Sequence, residues 1–276
     1  MEIDVLLTGT MGNISGIVRR SLESHGLTVE TMPIDQNVFR DEFGYHRGLK
    51  RTLEKLVPRM ILPIGCQIAL ARYRSRIPEG IIVPVESEDK IRTLDSKCGC
   101  SDLAATLGIA QPEIYASIPS DDCFPLVFKR DVSFGGQGVH IPKTRPALEQ
   151  LIAHQRSGEP YLMEKYIEGD DYSVDALRWH GYFRALCYRT ISHHGKGPSA
   201  ERQPADMPEL VGTARTMLDA IDYNGVCGFD FRVDRSGRAL FLECNPRFTG
   251  GLETSIACGF DIPYLMWKLN MRTEDE

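Results

Sequence analysis

Two carboxylates and one amide near the end of the sequence fall at spacings that bring their oxygens to one point. Asp230 lies in one strand-like segment, and Glu243 and Asn245 lie at alternate positions of the next. Such oxygens repel each other unless a hard cation lies between them, and Mg²⁺ takes them together with phosphate oxygens. Arg247, just beyond, has the planar guanidinium that clamps a phosphate or a carboxylate. A solvated polar face on an edge hairpin is the alternative.

The pairing of these two segments follows from burying their apolar side chains together. We expect Phe231 to lie opposite Leu240, since a one-residue slip would move the apolar side chains to the other face. Glu243 then lies diagonal to Asp230, at about 5–8 Å. In this register the polar face of the hairpin holds four side chains: Asp230, Phe241, Glu243 and Asn245.

A lysine at the end of an apolar strand is followed by a glycine-rich segment. Lys129 closes the strand-like run 124–129, and Gly135, Gly136 and Gly138 follow it. The lysine can hold a phosphate as a compact cation. The glycines let backbone N–H groups approach a polyphosphate closely. A plain hairpin turn beside a surface lysine is the alternative.

Between these two motifs, the segment 163–175 reads as a strand, a turn and a returning strand. Its exposed backbone at 165–167 is suited to the edge of an adenine, and Asp171 is suited to a ribose hydroxyl. The segment by itself establishes neither contact.

A first glycine-rich turn, 9–16, connects a strand-like segment to a helix. It has neither the GxGxxG pattern of dinucleotide-binding proteins nor the lysine of a P-loop. We interpret it as a strand–helix turn of a Rossmann-like unit. Binding of a substrate carboxylate at the helix N-terminus stays open as the second interpretation.

The first ninety residues alternate strands and helices. We expect strands at 5–7, 28–32 and 59–64, a short apolar run at 81–83, and helices at 17–25 and 49–56. Strands separated by helices predict a parallel sheet with crossover connections. This part of the chain therefore reads as α/β.

From residue 101 onward the pattern is typical of α+β structure with hairpins. We expect strands at 124–129, 139–141, 161–167, 172–179, 182–191, 225–234 and 238–245, and helices at 101–107, 147–156, 208–221, 254–258 and 262–269. The polar stretch 193–206 reads as a long loop, and long loops often serve as lids. His193 and His194 in it either close over a substrate or are exposed loop histidines.

Composition and charge exclude several classes of protein. The chain has 276 residues and a formal charge of −6, which suits one or two domains of roughly 150 residues. It has no basic footprint for nucleic acid, no apolar stretch of about 18 residues and no signal-peptide pattern. We therefore expect a cytoplasmic protein without nucleic-acid or membrane partners. Its eight cysteines read as reduced thiols, with a metal or redox pair at Cys98 and Cys100 as the minor alternative.

Taken together and in this order, the motifs resemble the ATP-grasp superfamily. The resemblance covers about residues 97–259 and is closest to the carbamoyl-phosphate-synthase-like and carboxylate–amine ligase group. It implies a Rossmann-like preATP-grasp domain over 1–93 and a two-lobed ATP-grasp domain over 94–276. The small ATP-binding lobe would span 124–167, and the metal-binding lobe 168–276.

The resemblance implies a role for each motif residue. The ATP phosphates would be contacted by Lys97 and Lys129 and covered by the loop of Gly135, Gly136 and Gly138. Adenine would be contacted by Glu164, Lys165 and Ile167, and ribose by Asp171. Two Mg²⁺ ions, with Mn²⁺ as a substitute, would be held by Asp230, Glu243 and Asn245. Arg247 would steady an acyl phosphate. A second catalytic basic residue is expected among Arg184, Arg189 and Lys196, of which we favour Arg189.

The implied activity is ATP-dependent ligation of a small carboxylate or amino acid to an amine, by way of an acyl phosphate. The implied partners are these small molecules, with a homodimer as an option. A small-molecule kinase on the same scaffold and a non-catalytic nucleotide-binding protein are the alternatives. A Rossmann oxidoreductase ranks below both, because the first glycine-rich turn lacks the required fingerprint.

Overall fold

The computed structural model describes residues 1–9, 11–32, 42–133, 136, 138–155, 158–193 and 199–271. The strands in these ranges are β1 (Glu2–Thr8), β2 (Val29–Met32), β3 (Val57–Pro63), β4 (Leu126–Arg130), β5 (Val139–His140), β6 (Tyr161–Lys165), β7 (Gly169–Trp179), β8 (Tyr182–His193), β9 (Ser199–Pro204), β10 (Gly225–Asp234) and β11 (Ala239–Asn245). The helices are α1 (Ile14–Ser24), α2 (Glu42–Leu53), α3 (Gln67–Tyr73), α4 (Glu88–Asp95), α5 (Lys97–Thr106), α6 (Arg145–Ala153), α7 (Pro208–Ala220), α8 (Leu252–Ala257) and α9 (Ile262–Met271). The strand orders are β2-β1-β3, β5-β4-β6 and β11-β10-β7-β8-β9.

The first sheet is parallel, as the alternation of strands and helices predicts. β1 runs parallel to both β2 and β3, and its apolar centre is completely buried. α1 begins at Ile14, earlier than the predicted residue 17, because the Ile14 N–H already donates to the Met11 carbonyl at 3.0 Å. The apolar run 81–83 forms only an isolated bridge to β3. Helices α3 and α4 were not predicted, since both are short.

Gly9 ends β1 in a conformation that favours glycine. Its φ is +94°, and a Cβ at this position would lie 2.3 Å from the Ile64 carbonyl oxygen. Any other residue would push the carboxyl ends of β1 and β3 apart. This close approach fixes the turn that leads into α1.

The second sheet is small and antiparallel. β4 lies between β5 and β6, and one face of the sheet packs on α6. The buried members of this apolar cluster are Leu126, Phe128, Leu148 and Met163. Since the cluster has so few buried members, each side chain in it carries a large share of the packing.

Replacing Leu148 by alanine should therefore lower the free energy of unfolding by about 2–5 kcal/mol, the cost of a cavity at a buried leucine. Leu148 is completely buried, while its neighbour Glu149 is exposed on the same helix. Urea denaturation of L148A and of the control E149A measures the difference. Equal stability of the two variants would contradict the packing described.

The third sheet is antiparallel; one face packs in the main apolar core, and the other is polar around Asp175 but apolar at Leu177 and Val226, which pack in a second cluster. On β7, Val174 and Ala176 belong to the main apolar core, against α7. Ser173 and Asp175 alternate with them and therefore lie on the opposite face. That opposite face is the floor of the cavity described below.

The prediction that 193–206 forms a loop is wrong for the second half of this segment. Ser199–Pro204 forms β9, which pairs antiparallel with β8 at the edge of the third sheet. An edge strand has a neighbour on one side only and tolerates polar side chains, so its sequence lacks the apolar signal of a central strand. Residues 194–198, including His194 and Lys196, lie outside the described residues, as does the side chain of His193.

The predicted register of the hairpin β10–β11 is also wrong. Asp230 lies directly opposite Glu243, and Phe231 lies opposite Phe241, because a bulge places Leu242 between these two pairs. The extra residue reverses the alternation of β11. Phe241 therefore lies in the core, 2% exposed, instead of on the polar face.

The apolar core is continuous between the first and third sheets. Leu6 and Ile61 of the parallel sheet belong to the same cluster as Phe229 and Phe231 of β10. The predicted boundaries at residues 93 and 167 stay predictions. Within the described ranges, no helix combines the length and hydropathy needed to cross a membrane.

Candidate functional site

A cavity of about 620 Å³ lies where the three sheets face one another. The small sheet contributes residues of β4–β6, the third sheet contributes its polar face, and the first sheet contributes the turn Met11–Ile14 before α1. Most of the predicted site residues line this cavity: Lys129, Gly136, Glu164, Lys165, Ile167, Asp171, Asp230, Glu243, Asn245 and Arg247. The fold thus brings together motifs that are more than one hundred residues apart in the sequence.

Asp230 and Glu243 form the carboxylate pair of the site. They are directly opposite each other in the β10–β11 ladder. Burial, together with the negative charges of Glu243 and Asp175, raises the pKa of Asp230 from 3.8 to about 7. Two carboxylates held together in this way would be stabilised by a hard cation between them. The donor set therefore fits Mg²⁺, although no group of three or more His, Cys, Asp or Glu side chains is gathered for a metal in the described part of the chain.

Asn245 completes the oxygen donors and is oriented by Arg247. The Arg247 Nη2 donates to the Asn245 Oδ1 at 2.7 Å, and the Asn245 Nδ2 donates to the Asp230 Oδ2 at 3.3 Å. The Asn245 amide therefore bridges Arg247 and Asp230, with its oxygen held beside the carboxylate pair by Arg247.

Both predicted lysines are buried beside the carboxylates. The Lys129 Nζ lies 2.8 Å from the Glu164 Oε2, with side chains only 7% and 4% exposed, and 3.4 Å from the Leu242 carbonyl oxygen. The bulge at Leu242 thus directs a backbone carbonyl toward Lys129. The Lys97 Nζ lies 3.4 Å from the Glu243 Oε2. These cations are held within the site before any ligand binds.

Glu164 has a different contact from the one implied by the resemblance. Its carboxylate binds Lys129 and so fixes the position of that ammonium group. The neighbouring Lys165 N–H donates to the Glu113 carbonyl at 2.9 Å. An adenine edge would therefore meet the Lys165 carbonyl and the backbone of Ile167, not the Lys165 N–H. Asp171 is also paired, since the Arg232 Nη2 lies 2.9 Å from its Oδ1.

The glycine loop is described only in part. Gly135 lies outside the described residues, whereas Gly136 lines the cavity. A Cβ on Gly138 would lie 2.6 Å from the Ser133 side chain, and the Ser133 Oγ in turn accepts from the Lys97 Nζ at 3.3 Å. Gly138 therefore controls where Ser133 and Lys97 lie.

Replacing Gly138 by alanine should displace Ser133 and weaken nucleotide binding by about tenfold, the loss of one charge-assisted contact. The matched control is Gly212→Ala, where no atom would meet the added Cβ and the backbone is helical. Titration with a fluorescent ATP analogue measures both dissociation constants. Equal affinities in G138A and G212A would contradict this role for Gly138.

The structure corrects the choice of Arg189 as the second basic residue. Arg189 lies on the apolar side of the third sheet, because it pairs with Tyr172 while the cavity face carries Thr190. Its guanidinium binds Asp170 at 2.8 Å. The Arg184 guanidinium also binds a different group, since it donates a hydrogen bond to the Gly259 carbonyl.

Arg202 of β9 is the basic residue in this part of the cavity. Its Nη2 lies 2.8 Å from the Asp175 Oδ2, and both side chains are buried, 5% and 3% exposed. Sequence reasoning missed Arg202 because the segment read as a loop. The alternation in Ser199–Pro204 was the available signal, but every second residue there is polar or small.

Comparison with known proteins identifies relatives of this fold. Residues 157–276 match the family model described as "ATP-grasp in the biosynthetic pathway with Ter operon". The carbamoyl phosphate synthase large chain of Thermoanaerobacter sp. (strain X514) is 22% identical over 209 residues, covering 68% of this chain and 19% of that protein. The chain thus spans about a fifth of the length of the curated relatives it matches.

Two solved structures show the same architecture over almost the whole chain. Biotin carboxylase from Campylobacter jejuni, solved as a β-γ-ATP complex, has a TM-score of 0.77 and 16% identity, covering 99% of this chain and 72% of that one. L-amino acid ligase from Bacillus licheniformis has a TM-score of 0.75 and 16% identity, covering 98% and 75%. The match over residues 157–276 confirms the resemblance to ATP-grasp proteins that the motifs indicated, and the two solved structures confirm the predicted fold class.

Proposed function

We propose that the protein is an ADP-forming ligase that joins a small carboxylate or amino acid to an amine through an acyl phosphate. The observation that carries the proposal is the convergence of the Asp230–Glu243 pair, Lys129 and Arg247 in one cavity, with Lys97 buried beside Glu243. This set of charges suits the transfer of a phosphoryl group, which depends on positioning and charge neutralisation. The similarity to ATP-grasp ligases supports it.

ATP would lie with its adenine against β6 and its phosphates over the β10–β11 hairpin. Adenine would contact the backbone of Ile167, and ribose would contact Asp171. Lys129 and Lys97 would neutralise phosphate charge, each from a position already fixed by a carboxylate. Little reorganisation of these cations is needed when the nucleotide binds, which favours charge stabilisation in the transition state.

Asp230, Glu243 and Asn245 would hold Mg²⁺. The ion would neutralise charge on the transferring phosphoryl group and its leaving group. Two ions, and replacement of Mg²⁺ by Mn²⁺, are part of the proposal.

The reaction has two steps. An oxygen of the substrate carboxylate attacks the γ-phosphorus, the bond to the β-phosphate oxygen breaks, and ADP leaves. The amine then attacks the acyl carbon, loses a proton, and displaces inorganic phosphate as the amide bond forms. Arg247 is positioned by its bond to Asn245 to balance charge on the acyl phosphate between the steps.

A matrix of carboxylates, amino acids and amines tests the proposal through ADP release. The expected result is ADP, phosphate and amide in equal amounts, only when carboxylate and amine are both present. A stable phosphorylated product formed without amine would establish a kinase in its place. Binding of ATP without turnover on any pair would favour a regulatory protein. A homodimer stays a prediction, to be checked by the solution mass.

A further inference from the structure

The Arg202 side chain is buried, and its Nε–H has no acceptor in the described part of the chain. Its Nη1 donates to the Ser173 Oγ at 2.9 Å, and its Nη2 donates to the Asp175 Oδ2 and to the Gly251 carbonyl. The guanidinium lies over the Tyr188 ring, 4.2 Å from its centroid. Among the residues that the structure describes, none accepts from the Arg202 Nε–H. A buried N–H without a protein partner indicates a place for a ligand atom or water.

The N-terminus of α1 opens into the same cavity as Arg202. The turn Met11–Ile14 lines this cavity, and α1 that follows it is 11 residues long. The Asn13 side chain makes no capping hydrogen bond, and the first turn of the helix carries no acidic residue. The Ile14 N–H donates to the Met11 carbonyl, so the Ser15 and Gly16 N–H groups and the positive end of the helix dipole are what this terminus offers an anion.

Arg202 lies close to the metal-binding hairpin but is not part of it. Asp175, its partner, pairs with Gly228 on β10, two residues along the strand from Asp230. Gly228, opposite Asp175, and Asp230 are thus about 7 Å apart along β10. One small molecule can reach both Arg202 and the metal-binding hairpin.

The Asp175 carboxylate has other hydrogen-bond donors besides Arg202. It also accepts from the Thr249 Oγ1 at 2.9 Å and from the Ser255 Oγ at 2.6 Å. Asp175 is therefore held by three donors, which fixes its position, and with it that of Arg202, before any ligand binds.

We propose that Arg202 and the N-terminus of α1 together bind an anionic group, a carboxylate or a phosphate monoester, on the non-nucleotide substrate. This group is distinct from the carboxylate that is phosphorylated. The inference rests on the proposed function and narrows its substrate class to small molecules with a second anionic group. It also gives the first glycine-rich turn a role, as the site of the substrate anion.

The first test places a competing charge at the helix terminus. In N13D a carboxylate occupies the proposed anion position, while N13A removes the same amide without adding charge. Asn13 is exposed, and an acidic residue at a helix N-terminus stabilises the helix, so N13D should stay folded. Protein saturated with Mg²⁺ and a non-hydrolysable ATP analogue is titrated calorimetrically with L-glutamate, succinate and O-phospho-L-serine. The neutral counterparts are L-glutamine, succinamide and L-serine.

We expect at least one anionic probe to bind the wild type more tightly than its neutral counterpart, and the phosphorylated and carboxylate probes show which anion is preferred. N13D should weaken binding of that probe about tenfold relative to N13A, in line with a charge at a helix terminus. The proposal is overturned if no anionic probe exceeds its neutral counterpart, or if N13D and N13A bind it equally.

A second variant separates anion binding from a merely structural role of Arg202. R202K keeps the positive charge but removes the Nε–H. It should lose affinity for the anionic probe and retain affinity for the nucleotide analogue; an equal loss of both would overturn the proposal. Because the analogue is not hydrolysed, these results are independent of turnover. Anion binding without any ligation would contradict the proposed function and leave this inference intact.

Discussion

Replacing Asp230 by asparagine, or Glu243 by glutamine, is expected to lower the rate of ADP release by about 10³-fold or more, since each removes one charge that holds the cation at the phosphates. The two side chains lie opposite each other across the β10–β11 ladder. Each substitution keeps the shape of the side chain, so the fold should be unaffected. Initial rates of ADP release at saturating ATP and Mg²⁺ give the comparison.

The melting temperature of each variant distinguishes a loss of cation binding from unfolding of the protein. Asp230 lies in surroundings that raise its pKa to about 7, so a neutral side chain is tolerated there and D230N should melt no lower than the wild type. The matched control is E253Q, because Glu253 is an exposed acidic residue, with its side chain 72% exposed. Mg²⁺-dependent activity that survives in both D230N and E243Q would refute the metal assignment.

Replacing Lys129 by methionine should abolish turnover and also destabilise the protein. Lys129 and Glu164 are both almost completely buried, 2.8 Å apart. Removal of one partner leaves an uncompensated buried charge, which costs about 3–5 kcal/mol. Urea denaturation and ADP release measure the two effects on the same preparation.

The double variant K129M/E164Q distinguishes the two roles of this pair. Neutralising both partners removes the buried charge, so stability should return to within about 1–2 kcal/mol of the wild type. Activity should stay lost, because the phosphate contact of Lys129 is still absent. K143M is the control, since Lys143 is exposed on the surface. Recovery of activity in the double variant would contradict a phosphate-binding role for Lys129.

The motif residues could be predicted from the sequence because each one has unusual chemistry for its position. A lysine that ends an apolar strand, and acids at alternate positions of a hairpin, depend on local sequence alone. The parallel first sheet could likewise be predicted, since its strands are apolar and separated by helices. The prediction succeeded where local pattern and tertiary packing agree.

The remaining features depend on contacts between distant segments. The bulge at Leu242 places Phe241 in the core, and a strict alternation of side chains cannot anticipate this. Finding Arg202, which was not among the candidates Arg184, Arg189 and Lys196, required knowing that 199–204 is a strand and which face it presents. A polar edge strand carries no apolar period, so its existence follows from β8 and not from its own residues.

The contact of Glu164 with Lys129 was also beyond local reasoning. The two residues lie on neighbouring antiparallel strands, and their pairing depends on the register of β4 and β6. The sequence predicted a site role for each residue, and the structure shows that the Glu164 carboxylate binds the Lys129 ammonium group. Tertiary geometry thus determines how the charges of the site are shared.

Trapping of the acyl phosphate is the decisive experiment on the proposed reaction. Hydroxylamine replaces the amine in a reaction with ATP, Mg²⁺ and a panel of carboxylates and amino acids, and the hydroxamate is quantified beside ADP. With the true substrate, we expect the wild type to form hydroxamate in an amount equal to ADP. The E243Q variant should form no hydroxamate. ADP release that depends on a carboxylate but yields no hydroxamate, or that yields a stable phosphorylated product, would contradict the proposed reaction.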